Sequence, residues 1–535
     1  LCVLALCLGL LPVTALAAAA PSRQVIYVGN TNVTSGGYWT TDSNGNVTAY
    51  TEDGTTPSNN YIHYNKETNT LTLHNATIKE SLVYNESNGD STLIHSSAIG
   101  VLNQHGNAEL TIQLEGSNTI AEVSQGIYVL EDSKSTSSSS LTIKGNGSLD
   151  TSSSQIGIRV QSNSSDAALS IKNAKVTATV VDGYGGNGVV VQSSENSSVS
   201  LTVNSGSLTA TGRYADDAGI LLQFGSGGSG SGSGTPTVTV SNNAIVRANG
   251  GITNTSSTSI QYGTGNEENG GIIWNGTEGT VYSEVELQED LEIGEGECLT
   301  IGDEASLNTG SHEVIVNGGT LTGGERITGT VKYAPTITTQ PTSQTVTEGG
   351  TATFTVVTSG TEPLSYQWQQ STDSGQSWAD IGGATDATYT TEATTTSMNG
   401  YQYRCVVSNS AGSITSDAVS LTVNEHVHTW GNPVWSWSED GKTCTVTFTC
   451  EKDENHKESP KVDVTSAVKK PATCTETGVT TYTATVEFNG NTYTDTKEVA
   501  DLPAIGHSYG KPVWNWSEDG KTCTVTFTCE KDETH

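Results

Sequence analysis

The sequence predicts an all-β protein whose larger, N-terminal part is a solenoid of stacked short strands. Glycine, serine, threonine and asparagine are plentiful, and only 15% of the residues are charged. This composition favours strands and turns over helices, which prefer Ala, Leu, Glu and Lys. Short runs of alternating apolar and polar residues also recur at a nearly fixed interval, which indicates a repeat architecture. At 535 residues the chain is long enough for several domains, since one core seldom serves more than about 250–300 residues.

The charge balance excludes several classes of partner. Lys and Arg number 23 against 57 Asp and Glu, which gives a formal net charge of −34. Such a surface repels nucleic acid and anionic membranes, so we expect no nucleic-acid partner. Neutral glycans, proteins and divalent cations remain as ligand classes. We expect no cofactor, and the acidic surface makes Ca²⁺ a candidate ligand.

The first 20 residues have the pattern of an export signal. Residues 1–20 read LCVLALCLGLLPVTALAAAA, an apolar run that ends in small residues, as the hydrophobic region and cleavage site of a signal peptide do. A basic segment and an initiator Met are missing, so we expect the signal to be incomplete at its N-terminus. The prediction is a secreted or cell-surface protein, held to the cell wall through a region beyond the C-terminus.

Two repeated phrases mark successive coils between residues 24 and 331. A Gly followed by an aliphatic residue recurs at spacings of 26, 31, 31, 31 and 32 residues. These glycines are Gly100, Gly126, Gly157, Gly188, Gly219 and Gly251. An LTI phrase or a close variant begins at Leu110, Leu141, Leu169, Leu201 and Val238. Because each repeat is too small to bury a face alone, stacking would align these residues in one core, and the prediction is a parallel β-helix over 24–331.

The opening phrases of this region resemble a known family. YVGNTNVTSGGYWTT and YNKETNTLTLHNATI (Tyr64–Ile78) are similar to the N-terminal phrases of right-handed β-helix proteins described as carbohydrate-binding. The resemblance covers roughly residues 25–330. It implies a right-handed helix and an extracellular partner, either a polysaccharide or a host or matrix glycoprotein.

Two tyrosines fall in corresponding loops of successive coils. Tyr184 and Tyr214 come just before the glycine of their repeats, and stacked strands lie about 4.8 Å apart. They would form an aromatic strip with Asp182, Asp216 and Asp217 as hydrogen-bond acceptors. Aromatic faces with a few polar groups are what sugar rings need. The strip is the predicted ligand site, and a purely structural stacking ladder is the alternative.

The sequence predicts no catalytic residues. Pectate-lyase-like enzymes share the β-helix fold and need an Arg or Lys base beside carboxylate-bound Ca²⁺, for which Arg213 with Asp216 and Asp217 is the best local match. Consecutive residues on a strand face opposite ways, so this triplet is interpreted as a solvated loop. The prediction is a non-enzymatic surface adhesin. A polysaccharide lyase or glycoside hydrolase, and a purely structural wall protein, remain as alternatives.

Residues 332–424 have the pattern of a second domain. Trp368 lies on the third expected strand, and Tyr403 stands two residues before Cys405. This spacing resembles an immunoglobulin-like β-sandwich. Val356 takes the place of the first Cys of the usual pair, so we predict that Cys405 is buried and unpaired. The resemblance implies a spacer or a protein-binding surface.

The end of the chain carries a duplicated unit. The segment His428–His456 returns 79 residues later as His507–His535, which divides this part into a β-rich unit over 426–506 and a truncated unit over 507–535. The residues between the copies have the pattern of a β-hairpin that turns at Asn489-Gly490. The whole resembles tandem stalk modules of bacterial cell-surface proteins.

Three states remain open for the cysteines of this unit. CTVTFTC has the pattern of one strand, which puts Cys444 and Cys450 on one face but about 20 Å apart. This separation disfavours a zinc set of His428, Cys444, Cys450 and His456, because zinc motifs place paired ligands two to four residues apart. Cys450 with Cys474 is the favoured disulfide in an oxidising compartment. Unpaired buried thiols are the main alternative, and no metal site is predicted.

Overall fold

The computed structural model describes residues 24–51, 55–88, 91–132, 136–183, 185–214, 217–225, 232–265 and 269–535. In these ranges the secondary structure consists of β-strands and two short 3₁₀ turns, Gly324–Arg326 and Thr396–Met398. The all-β class is therefore confirmed. Nowhere in these ranges is there a helix long and apolar enough to cross a membrane. The predicted signal at residues 1–20 lies outside the described residues.

The first part of the chain is built from many short strands. They are Val25–Val28, Thr31–Asn32, Gly37–Thr41, Val47–Ala49, Tyr61–Asn65, Thr70–His74, Thr77–Ile78, Leu82–Asn88, Ser91–Asn103, Ala108–Glu115, Ser117–Glu131, Ser139–Gly145, Ser148–Ser162, Ala167–Val180, Val189–Ser193, Val199–Thr211, Ile220–Phe224, Pro236–Ser241, Ala244–Asn249, Ile252–Asn254, Gln261–Gly263, Gly271–Asn275, Glu278–Tyr282, Glu284–Glu286, Leu291–Ile293, Cys298–Ile301, Ser306–Val316, Thr320–Thr322 and Ile327–Tyr333.

Strands of successive repeats pair in parallel, in the register that the repeated phrases predict. The LTI row pairs Leu110 with Leu141, Leu141 with Leu169, Leu169 with Leu201 and Leu201 with Val238. All five side chains are buried. Two further rows follow the same repeat: Ile127, Ile158, Val189, Ile220 and Ile252, and Leu149, Val176, Leu208 and Val246. Inward-facing aliphatic side chains from the three rows form one continuous core.

The repeated glycines are required by a close approach of neighbouring backbones. A Cβ atom at Gly157 would lie 2.6 Å from the carbonyl oxygen of Gly188, and one at Gly188 would lie 2.5 Å from that of Ala178. The same added atom at Gly126 would lie 2.4 Å from the carbonyl oxygen of Gly157. These distances are shorter than any real side chain tolerates. The Gly-aliphatic phrase therefore marks the points where the strands of successive repeats come closest.

The second predicted domain contains ten strands. They are Thr336–Thr339, Gln344–Thr347, Thr353–Thr355, Val357–Ser359, Ser365–Ser371, Ala379–Asp380, Thr388–Thr390, Gln402–Asn409, Gly412–Thr415 and Val419–Asn424. Packing assigns them to two compact units. The first unit runs up to Thr342 and includes Phe354–Tyr389 and Gln402–Val419, and the second contains Ser343–Thr353, Thr390–Tyr401 and Ser420–His535. The predicted domain boundaries at 331 and 424 stay predictions.

Trp368 and Cys405 lie opposite each other on antiparallel strands. Both side chains are fully buried, Val356 is 2% exposed, and Cys405 is a free thiol. Burial raises the pKa of the Cys405 thiol to about 11, which keeps it neutral and unreactive. The prediction of a buried, unpaired Cys405 is confirmed.

The last part of the chain forms small antiparallel sheets. Its strands are Val434–Trp437, Cys444–Cys450, Asp453–Glu458, Asp463–Lys470, Gly478–Phe488, Asn491–Leu502, Val513–Trp516 and Cys523–Thr526. CTVTFTC is one strand, as predicted. The hairpin turns at Asn489 and Gly490, whose φ angles of 48° and 75° are those of the turn that an Asn-Gly pair favours. Phe448 stacks on Phe488 of this hairpin, with ring centroids 4.0 Å apart.

Candidate functional site

The predicted tyrosine strip is only partly within the described residues, since Tyr184 and Asp216 lie outside them. Tyr214 is 52% exposed, and the Arg213 guanidinium lies 4.9 Å from its ring centroid. Asp182 is exposed as well. Tyr214 therefore presents an aromatic face beside a cation at the surface, in the loop where the sequence predicts it.

Asp217 holds two loops together. Its Oδ2 accepts hydrogen bonds from the backbone N–H groups of Gly186 at 3.1 Å and Tyr214 at 3.2 Å. Gly186 belongs to the preceding repeat, so this carboxylate fastens one loop to the next. The ligand role and the lyase role considered for Asp217 stay untested, but the structure gives this residue a loop-bracing role that the sequence did not reveal.

A polar row leads along the strand towards Tyr214. On the strand Val199–Thr211, Ser207, Thr209 and Thr211 alternate with the buried Leu208 and Ala210. The neighbouring strands add equivalent residues on either side, namely Lys175, Thr177 and Thr179, and Ile245, Arg247 and Asn249. Because paired strands lie about 4.8 Å apart, these residues form a mostly polar surface with regularly spaced hydroxyl groups.

A cavity of about 660 Å³ lies between this surface and the segment 289–297; we call it the polar groove. Lys175 Nζ contacts Glu289 Oε2 at 3.1 Å across it. Arg247 Nη1 contacts Glu297 Oε1 at 2.7 Å, and its guanidinium lies 4.2 Å from the ring centroid of the buried Trp274. The groove thus has one exposed ion pair and one arginine that is fixed on two sides.

The electrostatic balance of the polar groove is acidic. Five of its lining residues are acids and two are bases: Glu289, Asp290, Glu292, Glu295 and Glu297 against Lys175 and Arg247. This surplus of three negative charges disfavours an anionic ligand. The arrangement suits a neutral ligand that both donates and accepts hydrogen bonds.

A separate cluster of metal-binding residue types lies in the second compact unit. Ligand atoms of His426, His428 and Cys450 all lie within 4.8 Å of one another, and Cys450 Sγ is 3.6 Å from His426 Nε2. Glu348 Oε2 lies 3.1 Å from His426 Nδ1. Hydrogen bonding from His428 lowers the pKa of Cys450 to about 6, and hydrogen bonding to Cys450 raises the pKa of His426.

The second repeat has a corresponding cluster of Cys474, His507 and Cys529. The sulfur atoms of Cys474 and Cys529 lie 3.5 Å apart. Burial acts to raise the pKa of Cys529, but backbone N–H groups of Lys531 and Ser508, followed by His507, lower it to about 6.

The predicted pairing of Cys450 with Cys474 is wrong in this structure. Cys450 lies beside two histidines, and Cys474 faces Cys529. The sequence reasoning considered partners within the first repeat unit, whereas the sulfur nearest to Cys474 comes from the second copy. All the described cysteines are free thiols.

Comparison with known proteins finds similarity to short parts of this chain. Residues 327–425 match a family model described as a domain of unknown function, DUF8696. Endoglucanase C of Cellulomonas fimi is 43% identical over 93 residues, which make up 17% of this chain and 8% of the endoglucanase. The chain therefore spans only a small part of that relative.

Solved structures give matches of similar extent. A chimeric titin Z1Z2 is 30% identical and covers 18% of this chain and 98% of its own, with a TM-score of 0.15. The IG1+IG2 fragment of DIP-gamma is 20% identical and covers 19% of this chain and 52% of its own, also with a TM-score of 0.15. The chain is all-β and has immunoglobulin-like structural neighbours.

Proposed function

We propose that this chain is a non-enzymatic, extracellular surface protein that binds a neutral glycan along the outward face of residues 24–331. The proposal takes these residues as a right-handed parallel β-helix, with the remaining modules as spacer and stalk. The observation that carries it is the polar groove, which combines a fixed arginine, an exposed ion pair and a row of hydroxyl groups. Similarity to Endoglucanase C supports carbohydrate as the ligand class.

The chemistry of the groove fits sugar hydroxyl groups. Each hydroxyl donates one hydrogen bond and accepts others, so a site for it needs acceptors and donors in alternation. Glu289 and Glu297 supply acceptors, and Lys175 and Arg247 supply donors. Arg247 is already held by Glu297 and Trp274, so binding does not have to order its side chain.

The tyrosine strip extends the same face. Tyr214 follows Thr211 by three residues, so the polar row leads directly into the loop that bears the exposed ring. A polysaccharide lying along the strand direction would contact the groove at one end and Tyr214 at the other. Tyr184, Asp182 and Asp216 remain predicted members of this surface.

Removing the exposed ion pair of the groove is expected to weaken glycan retention about tenfold. Lys175 and Glu289 are 62% and 55% exposed, so the double variant Lys175→Ala/Glu289→Ala loses little folding free energy. A hydrogen bond to a charged group contributes about 1.5–3 kcal/mol, which is tenfold or more in affinity. The measurement is the retention of the full chain on insoluble cellulose, xylan and immobilised mucin, with and without Ca²⁺.

The matched control is Lys469→Ala/Glu498→Ala, an ion pair of similar exposure (55% and 52%) in the second unit. It should leave retention unchanged. Equal losses in both double variants would remove the groove from the proposal. Absence of saturable retention on any of the polymers would point instead to a structural role.

The tyrosine strip makes a separate prediction. Tyr184→Ala with Tyr214→Ala is expected to abolish glycan retention without unfolding the chain, because an exposed ring contributes little to the core and much to sugar stacking. Retention is measured as before, with circular dichroism as the folding check. Unchanged binding would remove the strip from the site and leave the groove.

An enzyme acting on polysaccharide is the second candidate function, supported by the name of the relative and by the acid-rich groove. Incubating the chain with the same polymers distinguishes the two. New reducing ends would indicate a hydrolase, and unsaturated uronate products would indicate a lyase. Saturable binding with neither product is the result expected for a binding protein.

A further inference from the structure

We propose that the second compact unit holds two zinc ions, one at His426, His428 and Cys450 and the other at Cys474, His507 and Cys529. We name these site 1 and site 2. The inference concerns a part of the chain that the proposed glycan function does not use, and it stands independently of that function.

The distances between the ligand atoms match tetrahedral zinc. With Zn–S near 2.3 Å and Zn–N near 2.0–2.1 Å, tetrahedral geometry separates a sulfur from a nitrogen by about 3.6 Å and two sulfurs by about 3.8 Å. In site 1, Cys450 Sγ and His426 Nε2 are 3.6 Å apart. In site 2, the sulfurs of Cys474 and Cys529 are 3.5 Å apart. The remaining ligand atoms of each site lie within 4.8 Å, a separation that small side-chain rotations close.

Part of each site is copied by the sequence repeat. His428 and Cys450 of site 1 correspond to His507 and Cys529 of site 2, since the copies are 79 residues apart. The third ligand is not copied. Residue 79 after His426 is Ile505, so the repeat by itself would leave site 2 without a third ligand.

The structure completes site 2 from a different segment, because Cys474 approaches from outside the repeated phrase. The residue 79 before Cys474 is Thr395, so site 1 does not use that route and takes His426 instead. Each copy therefore gains a third nitrogen or sulfur ligand by its own route. This convergence on the same kind of site is what a retained metal would explain.

A fourth ligand is available at equivalent positions. The ring of His456 lies 4.4 Å from that of His428, and the ring of His535 lies 5.1 Å from that of His507, measured between centroids. Site 1 would then have three nitrogens and one sulfur, and site 2 would have two of each. Mixed Cys and His sets of four are typical of structural zinc.

Glu348 orients the first ligand of site 1. Its Oε2 accepts the Nδ1 proton of His426 at 3.1 Å, which leaves the Nε2 lone pair facing Cys450. A carboxylate behind a histidine is the usual outer partner of a zinc ligand, because it fixes the tautomer and the ring orientation. His426 is 9% exposed, so this arrangement is also shielded from water.

The test is a titration of the metal-free full chain with Co²⁺, which reports tetrahedral Cys/His sites by absorption, followed by displacement with Zn²⁺. We expect two equivalents to bind, with thiolate charge-transfer bands. His428→Gln and His507→Gln should each remove one equivalent, and both histidines are exposed, so these variants should fold normally. Cys450→Ser and Cys529→Ser should do the same and also reduce the thiolate bands.

Cys444→Ser is the matched control. Cys444 lies on the same strand as Cys450 and is 9% exposed, but its sulfur lies 3.5 Å from the carbonyl oxygen of Thr445, outside both sites. This variant should still bind two equivalents. No uptake of Co²⁺ or Zn²⁺, or uptake that none of the four ligand variants reduces, would overturn the proposal. A Cys474–Cys529 disulfide in the protein purified with Zn²⁺ would overturn site 2.

Discussion

Replacing Trp368 by alanine is expected to lower the free energy of unfolding of its module by about 3–5 kcal/mol. Trp368 is fully buried, and its ring packs against Phe354 and Tyr389 with centroids 6.2 Å away in each case. Its indole N–H donates to the carbonyl oxygen of Asp386 at 3.0 Å. The substitution removes these contacts, opens a cavity and leaves a carbonyl without its donor, and each effect is destabilising.

Denaturant unfolding followed by circular dichroism measures this loss, and Trp378→Ala in the same module is the control. Trp378 is only partly buried and its main contact is Arg404, whose guanidinium lies 4.1 Å from the ring centroid. A cation–π contact at such a site contributes about 0.5–1 kcal/mol. If Trp368→Ala cost no more than Trp378→Ala, Trp368 would not be the centre of this core.

Replacing Gly188 by alanine is expected to destabilise the parallel rows by about 1–3 kcal/mol or more. The added Cβ would lie 2.5 Å from the carbonyl oxygen of Ala178, 2.6 Å from the amide nitrogen of Thr211 and 3.0 Å from the carbonyl oxygen of Gly219. All three are backbone atoms, so no side chain can rotate away. The strands of successive repeats would have to separate, which weakens the hydrogen bonds between them.

Gly302→Ala is the control for this effect. A Cβ at Gly302 meets no atom within 4 Å, and its φ angle is not in the left-handed region. The control should be neutral, or slightly stabilising because alanine restricts the unfolded chain. Thermal unfolding of both variants gives the comparison. A midpoint for Gly188→Ala equal to that of Gly302→Ala would contradict the close approach at the repeated glycines.

The two proposals concern different residues and fail separately. Loss of glycan retention in groove variants would leave Co²⁺ binding unchanged, because Lys175 and Glu289 lie in the first compact unit and the zinc ligands lie in the second. Loss of metal in the His428 or His507 variants should leave retention on polysaccharide intact if the glycan site lies within residues 24–331. Measuring both properties on each variant assigns a function to each part of the chain.

The sequence by itself determined the features that depend on local period. Alternation of apolar and polar residues predicted the strands, and the repeated LTI phrase predicted that Leu110, Leu141, Leu169 and Leu201 align, as they do. The Asn489-Gly490 pair predicted its hairpin turn. These features follow from side-chain direction and backbone sterics over a few residues, so a single chain reveals them.

Only the tertiary structure decided which distant residues meet. The approach of Glu289 to Lys175 joins positions 114 apart, and that of Glu348 to His426 joins positions 78 apart. Cys474 finds Cys529, 55 residues away, although the sequence favoured Cys450. Such contacts depend on the path of the connecting segments and the packing of the modules, which no local pattern encodes. The predicted strands were therefore largely correct, whereas the groove and the Cys/His sites emerged only from the fold.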